Sequence, residues 1–207
     1  MGMEAQDERS GRYRQRERTR QFVEDAARDM LANDETVTVQ TVAARTGISR
    51  ATIYRYFPST ADLVIHAAAP AADDPLTDPS WPYAPKSVPE DLPGRAAALV
   101  RAAGEWAFDR ENQLRALLRV SLEPDSAEQG LTRRTDRQRW IAGLLDGLPE
   151  EVPASARHRL AASLAGLFGS DAVVWTTDMA RLERAEALDT LAWMAETLVR
   201  ATLDAAD

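Results

Sequence analysis

The sequence contains no cysteine, only two histidines and a single lysine. Without cysteine the chain forms neither disulfides nor thiolate metal sites. The histidines, His66 and His158, are too far apart for the HExxH pair of zinc enzymes. No apolar run reaches the ~18 residues of a membrane-spanning helix, and residues 1–4 do not resemble the start of a signal peptide. We therefore expect a cytoplasmic protein that does not insert into a membrane and has no metal or other cofactor.

The motifs of common enzymes are also missing. There is no GxSxG, no phosphate-binding P-loop and no GxGxxG in the sequence. Ser163, His158 and Asp171 contain the groups of a catalytic triad, but all three fall on one predicted helix. Ser163 follows His158 by five residues, which places it about 140° around the helix from His158. This is the wrong geometry for a hydrogen bond between a nucleophile and its base. We expect no catalytic residues.

Charge is distributed unevenly along the 207 residues, a length that allows one or two domains. The 33 acidic and 25 basic residues give a net charge of -8, which taken alone argues against a polyanionic partner such as DNA. Residues 9–57, however, contain ten arginines and six acids, a local charge of +4 that leaves -12 for the rest. Only the N-terminal part is therefore suited to meet a polyanion.

Apolar spacing predicts an all-α fold of about nine helices. Residues 1–14 are predicted to be a flexible arm rich in arginine, and residues 15–58 a three-helix bundle. Residues 59–207 are predicted to form a larger helical domain with a loop at 70–93, which contains seven of the eleven prolines. The expected helices lie at about 16–31, 39–45, 49–56, 60–69, 94–109, 111–122, 127–147, 154–176 and 184–204.

Residues 38–63 predict a helix-turn-helix, two short helices joined by a tight turn. Thr38 and Ser49 are the expected N-caps, and Gly47 permits the turn. Ile53 and Phe57 are expected in the core. The first helix is expected to bury Phe22, Val23, Ala26, Ala27, Met30 and Leu31. The second short helix presents hydroxyl and guanidinium groups outward, suited to phosphates and base edges: Ser49, Arg50, Thr52, Tyr54 and Arg55.

This segment resembles the TetR family of transcriptional regulators over about residues 16–66. The residues that carry the resemblance agree without a gap: Arg18, Phe22, Ala26, Ala27, Thr38, Val39, Val42, Ala43, Gly47, Ile48, Ser49, Thr52, Ile53, Tyr54, Tyr56, Phe57, Ser59 and Leu63. The resemblance implies a homodimer on a near-palindromic double-stranded DNA operator, and a C-terminal domain for a small-molecule inducer. We interpret the protein as a repressor. The alternatives are an activator, or an interaction or ligand-binding protein of the same fold that does not use DNA.

The resemblance also implies which residues meet DNA. Tyr54 and Tyr56 are assigned to phosphates, with packing against the first and fourth helices as the alternative, and Arg50 to base edges with Thr52. The family usually has lysine where this chain has Thr60, so a phosphate contact is either missing or supplied by a nearby arginine. The arm either reaches DNA or is a solvated tail. The predicted set is Arg18, Thr38, Ser49, Arg50, Thr52, Tyr54, Tyr56 and Thr60.

The C-terminal part yields a second candidate site. The 154–176 helix is apolar on two sides, so we expect it to face its own core and a partner chain; a core helix in a monomer is the alternative. The resemblance places the homodimer contact on the last two helices. Asp171 is expected to pair with an arginine, such as Arg119, or with a ligand amine, and the tryptophans are either pocket walls or core. The candidate pocket residues are Trp106, Arg119, Trp140, Asp171 and Trp175.

Overall fold

The computed structural model describes the backbone of residues 2–68, 75–76, 78, 81–122 and 136–206, and their side chains from Tyr13 onward except that of Asp136. Every regular element in these residues is helical, which confirms the all-α prediction. They contain ten α-helices rather than nine: α1 (Gly2–Ala32), α2 (Val39–Thr46), α3 (Arg50–Tyr54), α4 (Thr60–Ala68), α5 (Leu92–Phe108), α6 (Glu111–Ser121), α7 (Asp136–Leu145), α8 (Ala154–Ala165), α9 (Gly169–Val174) and α10 (Arg184–Asp204).

The chain divides into two compact units. The first comprises Met1–Pro70 and Arg119–Thr132, and the second comprises Ala71–Leu118 and Arg133–Asp207. The first unit contains α1 to α4, whereas the boundary predicted at 58/59 assigned α4 to the C-terminal domain. α4 packs against α1, and this contact was not visible from apolar spacing alone.

α1 extends further toward the N-terminus than predicted. It begins at Gly2, whereas a flexible arm was expected to residue 14 and a helix only from about residue 16. The extension contains good helix formers but no apolar stripe, so apolar periodicity does not detect it. Val23, Ala27 and Met30 are buried as predicted, but Phe22 is 54% exposed. Phe22 lies about 100° around the helix from Val23, outside the buried stripe.

The described part of the proline-rich segment docks on α5. Trp81 is buried, and its indole Nε1 donates to the carbonyl of Ala102 at 3.3 Å. The Tyr83 hydroxyl donates to the carboxylate of Asp109. The segment ends at Asp91, which caps α5 by accepting a hydrogen bond from the Gly94 N–H at 3.0 Å. Of the predicted 127–147 helix, residues 127–135 lie outside the described residues.

α10 packs along α5 and forms the centre of the second unit. Its bounds are those that the apolar spacing predicts. A Cβ added at Gly104 of α5 would lie 2.6 Å from Cδ2 of Leu188 on α10, so the glycine permits the close approach of the two helices. Leu99 of α5 and Leu191 of α10 are both almost fully buried in this core.

The prediction of one continuous helix over 154–176 is wrong. α8 ends at Ala165, and the segment Gly169–Met179 continues at an angle of 65°. Between them Phe168 is extended and buried. Gly169 has a φ of 74°, a conformation that favours glycine. The apolar lines expected along one helix are therefore divided between two, which also accounts for the additional helix.

Among the described residues, no single helix has the length and apolar character needed to cross a membrane. α8 and its continuation Gly169–Met179 meet that test by length and composition only as a bent pair.

Arg115 holds a π-helical turn, Trp175–Met179, that follows α9. Its guanidinium donates to Asp178 at 2.6 and 2.7 Å, to the Thr177 hydroxyl at 3.0 Å and to Glu111 at 2.8 Å. The hydrogen bond from Arg115 lowers the pKa of Asp178 to about 2 from its ordinary value of 3.8. Thr176 is buried and donates to the Ala172 carbonyl at 2.8 Å, a back-bond of the kind that bends helices.

We predict that Asp178→Asn removes a pH-dependent part of the stability. The folded-state pKa of Asp178 is depressed, so its carboxylate stabilises the folded chain above pH about 4, and this contribution is lost as the pH falls toward 2. Urea unfolding of both proteins across this range should show a stability difference at neutral pH that shrinks in acid. A difference that stays constant with pH would contradict the assignment.

We predict that Gly47→Ala destabilises the chain by about 1 kcal/mol, because Gly47 ends α2 with a φ of 73°. Gly143→Ala is the matched control, since both glycines have open space around the missing Cβ but Gly143 lies inside α7. The control should be stabilising by roughly 0.5–1 kcal/mol. Thermal unfolding followed by circular dichroism measures both variants, and shifts of the same sign would refute the argument.

Candidate nucleic-acid interface

The inner side of α3 is fixed in the core of the first unit. Ile53 on α3 and Phe57 just beyond it are both fully buried. Val42 of α2 and Leu63 of α4 are buried with equal completeness. Successive helix residues point 100° apart, so burying Ile53 turns a defined set of neighbours outward. That exposed set is Arg50, Ala51, Tyr54 and Arg55.

Two hydroxyl caps and one glycine fix the helix-turn-helix, as the sequence predicts. The Thr38 hydroxyl accepts from the Thr41 N–H at 3.0 Å, and the Thr41 hydroxyl accepts from the Thr38 N–H at 2.9 Å, forming a capping box. Ser49 caps α3: its hydroxyl accepts from the Thr52 N–H at 3.3 Å and lies 2.9 Å from the Thr52 hydroxyl. Thr38, Ser49 and Thr52, which are predicted to contact DNA, thus also fix the backbone at the starts of α2 and α3.

Unpaired cations lie on the outer side of this motif. Arg50 and Arg55 are exposed, and neither forms an ion pair with another described residue. The guanidinium of Arg55 lies 5.4 Å from the ring centre of Tyr56. By contrast, Arg45 is paired with Glu35 at 2.5 Å. Arg55 was absent from the predicted contact set, although its place directly after α3 and its outward position were visible in the sequence.

The remaining predicted contacts lie in the same unit but differ in exposure. Tyr54 is 51% exposed, which argues against simple packing, while Tyr56 is half-buried. Thr60 is the first residue of α4 and is half-buried, and Arg18 is exposed on α1. Five of the eight predicted residues lie within α3 or next to it: Ser49, Arg50, Thr52, Tyr54 and Tyr56.

A polar cluster joins α1 to α4 beside this site. The buried carboxylate of Glu24 lies 3.5 Å from Arg20 and 3.6 Å from Nδ1 of His66. Nε2 of His66 lies 3.6 Å from Asp62 within α4. The His66 ring also contacts Phe57 edge-on, with centroids 5.8 Å apart. The same buried phenylalanine therefore helps to position both α3 and α4.

In the second unit, Trp81 brings two of the candidate pocket residues together. The Trp81 ring stacks on Trp106 and meets Trp140 edge-on, with both centroid distances at 5.9 Å. Trp140 is buried, and its Nε1 has no hydrogen-bond partner. Trp81 was not in the predicted set, and it lies among the prolines of the predicted loop 70–93.

The other candidate pocket residues are not gathered there. Trp175 is 39% exposed on the π-helical turn. Asp171 forms an ion pair with Arg137 at 3.3 Å. This supports the predicted pairing of Asp171 with an arginine rather than with a ligand amine, but the arginine is Arg137 and not Arg119. Arg119 is exposed and belongs to the first unit.

A cleft of about 720 Å³ lies elsewhere in the second unit, between α5, α10 and residues 83–89. Small residues such as Ala97 and Ala98 are among those that line it, and Tyr83 and Trp193 contribute aromatic rings. The predicted pocket residues are not among the residues that line it. No group of three or more His, Asp or Glu side chains within the described ranges is arranged to hold a metal ion.

Comparison with known proteins identifies two similarities. Residues 25–67 match the family described as "Bacterial regulatory proteins, tetR family". A stretch of 49 residues is 43% identical to the HTH-type transcriptional repressor LfrR of Mycolicibacterium smegmatis, covering 24% of this chain and 26% of that protein. The chain thus spans about a quarter of the length of the curated relative it matches. No solved structure matches it significantly.

The matched residues 25–67 include the features that define the candidate interface. They contain the capping box, the Gly47 turn, buried Ile53 and Phe57, and exposed Arg50. Both similarities agree with the resemblance found from the sequence. Residues 25–67 are therefore similar to the TetR family of bacterial regulatory proteins, and the similarity is shown for this N-terminal part of the chain.

Proposed function

We propose that the protein is a DNA-binding transcriptional regulator that acts in the cytoplasm as a homodimer. The observation that carries the proposal is the outer side of α3. There Arg50 and Arg55 are exposed and have no ion-pair partner among the described residues, while Ile53 holds the opposite side in the core. Unpaired guanidinium groups on a fixed helix suit guanine edges and phosphate oxygens.

In this proposal α3 is the recognition helix in the major groove. Arg50 stands at the N-terminal end of α3, where recognition helices contact base edges, and Thr52 lies beside it. Tyr54 and Tyr56 offer hydroxyl groups to phosphates, and Arg55 adds a cation.

The flanking contacts come from the neighbouring helices. Thr38 opens α2, Arg18 lies on α1, and Thr60 opens α4. Thr60 offers a hydroxyl where the family usually has lysine, and Arg55 is the nearest candidate in sequence to supply the missing charge. We propose that these residues position the protein on the DNA backbone without reading sequence.

Charge and symmetry support two copies on one operator. The local charge of +4 over residues 9–57 is slight, and the other residues sum to -12. A single copy therefore gains little electrostatic attraction. A homodimer through α8, α9 and α10, the segments predicted as the last two helices, would place two recognition helices about 34–36 Å apart, or a multiple of that distance, on a near-palindromic site.

We further propose repression that a small-molecule inducer relieves. LfrR, the relative described above, is named a repressor. The second unit offers two places for a ligand: the Trp81–Trp106–Trp140 group, with its unpartnered indole N–H, and the cleft beside Trp193. A ligand that favours one dimer state by about 1–3 kcal/mol changes operator affinity roughly 5- to 150-fold.

Two observations favour a second candidate function, an interaction protein of the same fold that does not use DNA. One is Thr60 in place of lysine, and the other is the net charge of -8. An activator is a third possibility, and it differs from a repressor only in the position of its operator.

Selection of bound fragments from a random pool of double-stranded DNA tests the proposal. We expect enrichment of a near-palindromic site, and we expect Arg50→Ala to weaken binding to it by about 10- to 100-fold, because a bidentate base contact is lost. Arg139→Ala is the matched control, an exposed arginine on α7, outside the helices assigned to DNA or to the second copy, and it should bind as wild type does. No enrichment, or equal losses in both variants, would favour the interaction protein.

Fluorescence of the tryptophans tests the inducer. Compounds that quench it bind the chain, and at least one of them should lower operator affinity by about fivefold or more. Compounds that bind while operator affinity stays constant would refute induction and leave DNA binding in place.

A further inference from the structure

A buried N–H group without a partner lies at one end of the tryptophan group formed by Trp106, Trp81 and Trp140. Trp140 is 8% exposed, and its Nε1 has no hydrogen-bond partner among the described residues. Trp81, which meets Trp140 edge-on, has its own Nε1 bound to the Ala102 carbonyl. Because buried indole N–H groups usually find a partner, the exception at Trp140 indicates an acceptor atom that the chain itself does not supply.

An unpaired cation lies at the other end of the group. The guanidinium of Arg110 lies 4.7 Å from the ring centre of Trp106, which in turn stacks on Trp81. Arg110 is half-buried and forms no ion pair with another residue that the structure describes. Burial lowers the pKa of Arg110, and the charge of Asp109 opposes this only in part. Asp109 is itself paired with Arg184 at 2.6 Å, so the Arg110 charge is partly removed from water with no carboxylate in contact.

The two unsatisfied groups of this surface are both donors. A guanidinium and an indole N–H donate hydrogen bonds and cannot accept them. The rings of Trp106 and Trp81 lie between them in the sequence of contacts and offer a large aromatic surface. A complementary ligand therefore has a flat apolar body, acceptor atoms and a negative charge that compensates Arg110. An amine would instead bring a second positive charge to an unpaired guanidinium.

We infer that the tryptophan group binds an aromatic organic anion, with its carboxylate at Arg110 and a second acceptor atom at Nε1 of Trp140. The inference rests on the inducer of the proposed function and gives it a chemical class and a place. It selects the tryptophan group over the cleft beside Trp193. The three carboxylates and the one guanidinium that line that cleft all have ion-pair partners, so the cleft has no charge left to compensate.

Isothermal titration calorimetry of the full chain without DNA tests the charge of the ligand. The probes are hydroxynaphthoate, hydroxynaphthamide and hydroxynaphthylmethylamine, which share one ring system and are anionic, neutral and cationic. The acid should bind about tenfold or more tightly than the amide, because a hydrogen bond between two charged groups is stronger than one to a neutral acceptor. The amine should bind most weakly. Equal affinities, a preference for the amine, or no binding of the acid would overturn the inference.

Variants of two arginines locate the charge. Arg110→Gln should lower the affinity for the acid to that for the amide and leave the amide unaffected, while Arg110→Lys should keep part of the preference for the acid. Arg101→Gln distinguishes the two places, because Arg101 is an exposed arginine of α5 that lines the cleft. The preference for the acid should survive this substitution. Its loss in Arg101→Gln but not in Arg110→Gln would place the ligand in the cleft and contradict the inference.

Trp140→Phe tests the second acceptor, since it keeps an aromatic ring and removes the N–H group. The affinity for hydroxynaphthoate should fall about fivefold, and the affinity for naphthoate, which lacks the hydroxyl, should fall less. Equal losses for the two acids would refute the contact with Nε1. Circular dichroism of every variant separates loss of binding from loss of the fold, and the comparison of the three probes on wild type needs no substitution.

The outcome is independent of DNA binding. Operator selection and Arg50→Ala require no ligand, so a chain that selects an operator but does not prefer the acid contradicts only this inference. A chain that prefers the acid but selects no operator contradicts only the proposed function.

Discussion

Complete burial of Ile53 and Phe57 is the constraint on which the candidate interface depends. A fully buried side chain of this size contributes about 1.5–3 kcal/mol by leaving water, which is a large share of the stability of a small helical unit. α3 has only five residues and would not be stable alone. Its orientation therefore comes from the core beneath it, from the Ser49 cap and from the left-handed turn at Gly47. Phe57 also contacts His66 of α4, so one side chain couples α3 to the next helix.

Separation of charge along the chain is the second organising feature. The N-terminal residues carry a small positive excess and the remainder is strongly acidic. Long-range repulsion would keep an acidic body away from a polyanion while the basic part is attracted. This arrangement favours one orientation on DNA, and the weak local charge favours paired copies.

The sequence was sufficient for the all-α class, the caps at Thr38 and Ser49, the Gly47 turn and the burial of Ile53, because each follows from local chemistry.

The sequence was insufficient where long-range packing decides the structure. Phe22 fits an apolar stripe but lies at its exposed edge. The break between α8 and α9 was not visible in the sequence, because Leu167 and Phe168 fit an apolar pattern in a continuous helix as well as in a broken one. The positive φ of Gly169, which marks the break, is known only from the structure. The helical start of α1 was missed because it lacks apolar periodicity. Trp81 and Arg137, the contacts of Trp106, Trp140 and Asp171, are distant in sequence from the residues they meet, so spacing could not identify them.

The central claim is that the arginines of the N-terminal unit bind DNA, and the salt dependence of operator binding tests it most directly. The slope of affinity against salt concentration reports the number of phosphates that the protein neutralises. The account predicts that affinity for the selected site falls by a factor of about 10³ or more between roughly 50 and 200 mM salt, as the phosphate contacts of two copies release counterions. An affinity that hardly changes over this range would contradict the account, because binding would then not depend on the arginines of the N-terminal unit.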